Sequence, residues 1–434
     1  MDQSPDGLQL EVAKQAETSK PSSIIATTEK GFKDELTKFG VNVEKVAEAC
    51  TILPENYNFE IWKTLYRIHL AKSKADKDQD YKIALQFPEG LLIYSTLISD
   101  IIQNYCKVST VILGDVTYGA CCIDDLGAKA VGANFIVHYA HSCLVPIQEM
   151  VIKDVLYVFV TIGINFKHFV NTVISNLEGH KESKIYMFGT IQFTNSLFMC
   201  KKLLLKEGFK DVNIPQTKPR SSGEVLGCTS PKIPEAKEDI VCIFLADGRF
   251  HIESVMIKNQ HIEFFYQYDP YSRKFTKEKY DIPKMHDIRQ QEITKARSAK
   301  CIGIILGTLG RQGNRGLLND LKRICKSKDI KYIILLLSEI SPQKLDKFSD
   351  IDAWIQIACP RLSIDWGHNY SKPILNTYEA HVLLDQIQWQ KSYPMDFYSN
   401  DAGEWGVYFK INKIREQKKL KRKANKDLKI SYEE

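Results

Sequence analysis

Three cysteines stand where an apolar, strand-like run gives way to turn residues: Cys121 in VILGDVTYGACCIDD, Cys228 in GEVLGCTSPK and Cys359 in DAWIQIACPRLSIDWG. Each lies more than a hundred residues from the next. Zinc ribbons and ferredoxin loops group their cysteines within a few residues, because a short loop wraps the metal. No such grouping exists here, so if the three thiolates share a metal they converge from separate folding units. Three cysteines on an iron–sulfur cluster leave one iron without a protein ligand, and an open metal position is where chemistry happens. On pattern alone the competing reading, a small buried hydrophobe, stays open for all three. Cys50, Cys106, Cys200, Cys242, Cys301 and Cys325 lie within apolar or helical runs and read as such hydrophobes. Cys122 adjoins Cys121; neighbouring side chains diverge, so one of the pair points away from any shared site.

Other segments carry weaker signals. In GTLGRQGNRG, Gly307, Gly310, Gln312 and Gly313 form a glycine-rich turn whose backbone N–H groups can converge on a carboxylate or phosphate. It lacks the Gly-Lys-Ser/Thr end of a Walker motif and the GxGxxG spacing, and a simple strand-to-helix turn explains it equally well. His138, His141 and Cys143 in VHYAHSCLVP mark another strand-end loop. A hydrogen-bonded loop histidine competes there with proton transfer or substrate contact. Asp247, Arg249, His251 and Glu253 in LADGRFHIES are explained by structural ion pairing as well as by catalysis. On pattern alone the catalytic residues are unknown.

These residues need a frame. A chain of 434 residues is too long for one ordinary core. Short β-branched or aromatic runs such as KIALQF, VSTVILG, SKIYMFG, DIVCIFLA, KCIGIILG and KYIILLL alternate with helix-like segments. Runs without clean alternation imply strands buried on both faces, hence parallel sheets in an α/β fold with right-handed crossovers. A weak repeat of strand, turn-rich loop and helix recurs in LQFPEGLL, MFGTIQFTNSL and ILGTLGRQGNRGLL. It predicts three similar α/β domains over residues 80–180, 183–278 and 288–400. Before them come a disordered, polar segment to residue 52 and a helical segment over 53–79; a basic tail follows over 401–434. In open α/β sheets ligands collect at the carboxyl ends of the strands, where all three cysteines fall.

Composition narrows the class. Apolar residues make up 44% and charged residues 26%, ordinary for a globular protein. No apolar stretch approaches the ~20 residues of a membrane span, and the start is no secretory signal. Eleven cysteines, an odd number, argue for a reducing compartment, and the reading is cytoplasmic. From Lys410 to Glu434 ten cationic residues face four acidic ones, which accounts for the whole net charge of +6. Contact with nucleic acid is therefore expected at most weakly, through this tail.

Several segments together resemble one family. GDVTYGACCIDD, VHYAHSC, LGCTSP, DGRFHIESVMI, YDPYSRK, GTLGRQG, ACPRLSIDWG and YPMDFY are similar, in collinear order, to 2-(3-amino-3-carboxypropyl)histidine synthase subunit 1 of diphthamide biosynthesis. The resemblance runs from about Leu53 to Tyr398. It implies three α/β domains around a central 4Fe–4S cluster, with one cysteine from each as ligand: Cys121, Cys228 and Cys359. It further implies a transferase that cleaves S-adenosylmethionine by a radical route and adds the 3-amino-3-carboxypropyl group to a histidine of translation elongation factor 2. A homologous subunit 2, forming a heterodimer, and a small iron-binding electron donor are the implied partners.

Two rivals remain at this level. A quinolinate-synthase-like 4Fe–4S dehydratase would use the open iron as a Lewis acid and yield a pyridine dicarboxylate rather than methylthioadenosine. A non-catalytic scaffold with structural zinc would lack the iron and visible spectrum of a cluster.

Overall fold

The structure, a computed structural model, describes residues 23–75, 80–114, 122–139, 147–218, 220–399, 402–409 and 413. The expectation of a disordered segment up to residue 52 is corrected from residue 23 onward; residues 1–22 lie outside the described residues. Helices Ser23–Lys38 and Val43–Cys50 occupy this stretch, the second capped by the Asn42 side chain, which accepts from the Lys45 N–H. Leu36 and Val46 of these helices are fully buried, in one cluster with Leu65 and Ile68 of helix Ile61–Lys72.

Strand β1 (Tyr57–Asn58) precedes that helix. The first sheet then forms from β2 (Lys82–Gln86), β3 (Ser109–Leu113), β4 (Phe135–Tyr139) and β5 (Val155–Val158), all parallel, in the order β3-β2-β4-β5. Successive residues of β2 serve opposite faces. Ile83 and Leu85 pack with Leu65, Ile98 and Ile102, while Ala84 packs with Ile123 and Ala128. Strand β6 (Thr161–Ile162) pairs antiparallel with β1.

The second sheet contains β7 (Lys184–Gly189), β8 (Asp211–Asn213), β9 (Ile240–Leu245), β10 (Phe264–Asp269) and β11 (Lys274–Glu278), ordered β11-β10-β9-β7-β8. Its last strand departs from the all-parallel expectation, because β11 folds back antiparallel on β10. The Asp269 carboxylate accepts from the N–H of Tyr271 at 2.8 Å and Arg273 adopts a left-handed φ of 56°, which together close the hairpin.

The third sheet is β12 (Cys301–Gly307), β13 (Lys331–Leu337), β14 (Ala353–Ile357) and β15 (Ile374–Leu375), parallel, in the order β13-β12-β14-β15. Gly303 on β12 leaves the space that the buried Trp354 ring fills. Counting strands along the chain within each sheet gives the order 2-1-3-4 three times, with β11 added to the second. The strand order reverses between the first and third strand of such a sheet, and that is where α/β proteins hold ligands. The chain divides into two compact units at Tyr280–Asp281; the first carries two of these sheets and the second carries one. Among the described residues no helix is long and apolar enough to cross a membrane.

Candidate functional site

Cys359 follows the end of β14 and is the cap residue, with extended backbone, of helix Pro360–Trp366. Proline at the first helical position presets the turn, since its missing N–H is one the helix does not need. Gln356 donates from Nε2 to the Cys359 carbonyl at 2.9 Å and to Ser363 Oγ at 3.0 Å. The same carbonyl accepts the Leu362 N–H at 3.0 Å. Cys359, 9% exposed, shares a cavity of about 260 Å³ with Gly307, Gln312, Ser338, Glu339 and Leu362.

The glycine-rich turn forms one wall of that cavity. Gly307 lies so close to Ala358 that a Cβ there would come within 2.7 Å of the alanine methyl. Gly313 packs on the Gly307 carbonyl, and Gly310 takes a left-handed φ of 51°. Tyr398 Oη donates to the carbonyls of Arg311 and Gln312, at 3.0 and 2.9 Å. Gly307 and Gln312 thus line the cavity, whereas Gly310 and Gly313 shape the turn without lining it.

Cys228 sits at the tip of a tight turn closed by Leu226 N–H to Thr229 O at 2.9 Å and Thr229 N–H to Leu226 O at 3.3 Å. Its thiol is half-buried, 3.4 Å from Thr229 Oγ1. Gly227 beside it abuts the Phe250 ring, where no side chain fits. Backbone bonds fasten this segment to the end of β7: Gly189 N–H to Gly223 O at 2.9 Å and Val225 N–H to Gly189 O at 3.1 Å.

Cys121 lies outside the described residues, as do His141 and Cys143. Cys122 is buried, and its carbonyl accepts from Gln86 Nε2 at 3.2 Å. Gln86 Oε1 accepts the Asp124 N–H at 3.0 Å and stands 3.0 Å from His138 Nδ1. With the amide orientation fixed by these two backbone partners, His138 carries its proton on Nδ1. His138 is therefore a hydrogen-bonded strand histidine, 1% exposed.

Burial acts on most of the other cysteines. It pushes the thiols of Cys50 and Cys325 up to about 11 and that of Cys106 up to about 12. Cys200 and Cys242 are raised further for the same reason. Arg249 pairs with Glu278 and, at 3.4 Å, with Glu253, so ion pairing accounts for part of the DGRFHIE cluster. Among the described residues, no three histidine, cysteine or carboxylate side chains gather around a metal position.

Gln86, Gln356 and Tyr398 escaped the sequence reading. A glutamine near the end of an apolar strand, in KIALQF and AWIQIA, was the available signal.

A family profile described as "Putative diphthamide synthesis protein" matches residues 87–394. The chain belongs to the diphthamide synthesis family. A Dictyostelium discoideum protein named 2-(3-amino-3-carboxypropyl)histidine synthase subunit 1 is 52% identical over 376 residues, covering 85% of this chain and 77% of its own length. A Gallus gallus protein of the same name is 48% identical over 365 residues, covering 84% of this chain and 86% of its own. The name makes those relatives synthases of the diphthamide pathway and one subunit of a complex. A solved structure of Dph2 from Pyrococcus horikoshii with a 4Fe–4S cluster superposes with a TM-score of 0.62 at 23% identity, covering 78% of this chain and 93% of that one. This member of the diphthamide synthesis family therefore shares the Dph2 fold, with small parallel sheets flanked by helices.

Proposed function

We propose that this member of the diphthamide synthesis family transfers the 3-amino-3-carboxypropyl group of S-adenosylmethionine to a histidine of translation elongation factor 2. The ligands proposed for a 4Fe–4S cluster are Cys121, Cys228 and Cys359. The observation that carries the reading is identity of about half the residues, over 85% of the chain, with a protein named for that product. The donor set supports it. Cys228 stands half-buried on a turn tip and Cys359 borders a cavity.

A reduced cluster held by Cys121, Cys228 and Cys359 would supply the electron for cleavage between the sulfonium sulfur and the γ-carbon of S-adenosylmethionine, with methylthioadenosine as the leaving product. The histidine ring would take the four-carbon 3-amino-3-carboxypropyl group in place of one proton, and the electron would return to the cluster, so the net reaction is neutral in electrons. The chain's residues bind and orient. The Gly307–Gly313 turn offers backbone N–H groups for the methionyl carboxylate, and Gln312 adds a buried amide beside it. Leu362 and Ile340 make that side of the cavity apolar, which favours exclusion of water. The target histidine arrives on a protein, so the cluster pocket stays open on one side. A second, homologous subunit and a small iron-binding electron donor complete the system, and cytoplasmic placement fits the substrate.

Product analysis tests the reaction. Reduced, anaerobic enzyme with S-adenosylmethionine and elongation factor 2 is expected to release methylthioadenosine as it modifies the factor. 5′-Deoxyadenosine as the main nucleoside would contradict the proposed cleavage.

A further inference from the structure

We infer that Gln356 is a positioning residue that holds the Cys359 segment in ligand geometry, and that Gln86 plays the matching part for the Cys122–Asp124 backbone; this rests on the cluster reading above. Both glutamines lie in parallel strands whose other positions are mainly apolar, and they are 7% and 1% exposed. A buried amide is costly unless its polar ends are matched. Gln86 is matched at both ends by backbone of Cys122 and Asp124, and the Gln356 nitrogen by the Cys359 carbonyl and Ser363 Oγ, while Gln356 Oε1 is buried without a partner among the described residues. Gln86 donates to the Cys122 carbonyl at 3.2 Å and accepts the Asp124 N–H at 3.0 Å, which fixes the backbone from Cys122 to Asp124. Gln356 donates to the Cys359 carbonyl at 2.9 Å and to Ser363 Oγ one helical turn later, at 3.0 Å.

The far side of the Cys359 helix is held as well. The Ser363 carbonyl accepts from Arg289 Nη1 at 2.8 Å. In the second sheet the corresponding work falls to backbone, through the two bonds between Gly189 and the Gly223–Val225 stretch ahead of Cys228. The Cys122–Asp124, Gly223–Val225 and Cys359–Ser363 stretches are thereby fastened to the ends of β2, β7 and β14. Ligand orientation by such neighbours is worth about 10- to 100-fold in metal affinity at other sites.

Gln356→Leu removes the amide at nearly constant volume. The Cys359 carbonyl keeps its bond from the Leu362 N–H, so the fold tolerates the change. The experiment follows cluster loss to an iron chelator in the full-length chain, reconstituted anaerobically in the complex in which it is isolated. The visible band, the electron paramagnetic resonance of the reduced cluster and the melting temperature of cluster-free protein are recorded for Q356L, Q86L and C359A. Q356L and Q86L are expected to lose iron about 10- to 100-fold faster than the native chain. Their resonance is expected to be altered and their cluster-free melting close to native. Native loss rates and an unchanged resonance in both would overturn the inference. So would faster loss matched by a large drop in cluster-free melting, which would mean general destabilisation. C359A separates the two levels: a full cluster in C359A removes Cys359 from the ligand set, whereas loss there beside native behaviour of the glutamine variants defeats only the positioning role.

Discussion

Arg289 and Glu379 meet in a two-point ion pair inside the third-sheet unit, Nε to Oε1 at 2.6 Å and Nη2 to Oε2 at 2.8 Å, with side chains 1% and 0% exposed. Further hydrogen bonds hold both partners. Tyr393 Oη donates to Glu379 Oε1 at 2.6 Å, the Asn376 N–H donates to Oε2 at 3.0 Å, and Arg289 reaches the carbonyls of Ser363 and Ile374, each at 2.8 Å. The pair ties helix Ile282–Ala296 and helix Thr377–Leu383 to the helix that follows Cys359.

Breaking that pair from one side strands a buried charge. Arg289→Met is expected to destabilise the fold by about 3–5 kcal/mol, and the double change with Glu379→Met by clearly less than the sum of the singles. Urea unfolding of the three variants measures both quantities. An Arg289→Met cost below about 1 kcal/mol would show that the pair adds nothing to stability.

The glycine-rich turn makes a second test. Tyr398→Phe removes the hydroxyl that serves two carbonyls of the turn, at a stability cost of about 1 kcal/mol. Gly313→Ala places a methyl against the Gly307 carbonyl and has no room without displacing the turn. Both are expected to weaken S-adenosylmethionine binding, Gly313→Ala the more, while iron content stays near native. Calorimetric titration reads the binding; native affinity in Gly313→Ala would take the turn out of the substrate site.

Thiol chemistry gives a pH prediction. Burial raises Cys50, Cys106 and Cys325 to between about 11 and 12, so at pH 8 on the order of one thiolate in a thousand or fewer is present at each. Iodoacetamide on cluster-free protein at pH 8 is expected to label half-buried Cys228 ahead of these three. Peptide mass mapping reads the order, and early labelling of Cys106 would contradict it. The sign for stability follows from the same shifts. Below the unfolded pKa of 9.0 the thiols are protonated in both states. Above it the unfolded chain loses protons that the folded chain keeps, so stability falls from about pH 9 towards pH 12. A melting temperature that holds steady from pH 8 to beyond pH 10 would argue against it.

The strands were legible because runs such as KYIILLL and KIALQF carry β-branched and aliphatic residues without the helical period. What stayed hidden had weak local signals. Helix Ser23–Lys38 spends most of its surface on charged and polar residues, and Leu36 finds its purpose only against Leu65 and Ile68. Strand β11, KFTKE, is a charged edge strand, whose reason for being extended is its partner β10 rather than its own composition. At the site, the cysteines announced themselves by abutting glycine and proline. The glutamines did not, since their role depends on backbone groups brought close by folding. Gln356 lies three residues before Cys359, but Gln86 lies 36 residues before the Cys122 carbonyl it holds.

Iron binding in cysteine variants tests the central claim most directly. Iron content and the broad absorption near about 400 nm are measured on anaerobically purified native chain and on the Cys121→Ala, Cys228→Ala, Cys359→Ala and Cys122→Ala variants. Four irons per native chain, most of the band lost in each of the first three variants and the band kept in Cys122→Ala is the expected result. A native chain holding zinc without iron, or full cluster occupancy in any of the first three variants, would contradict the account.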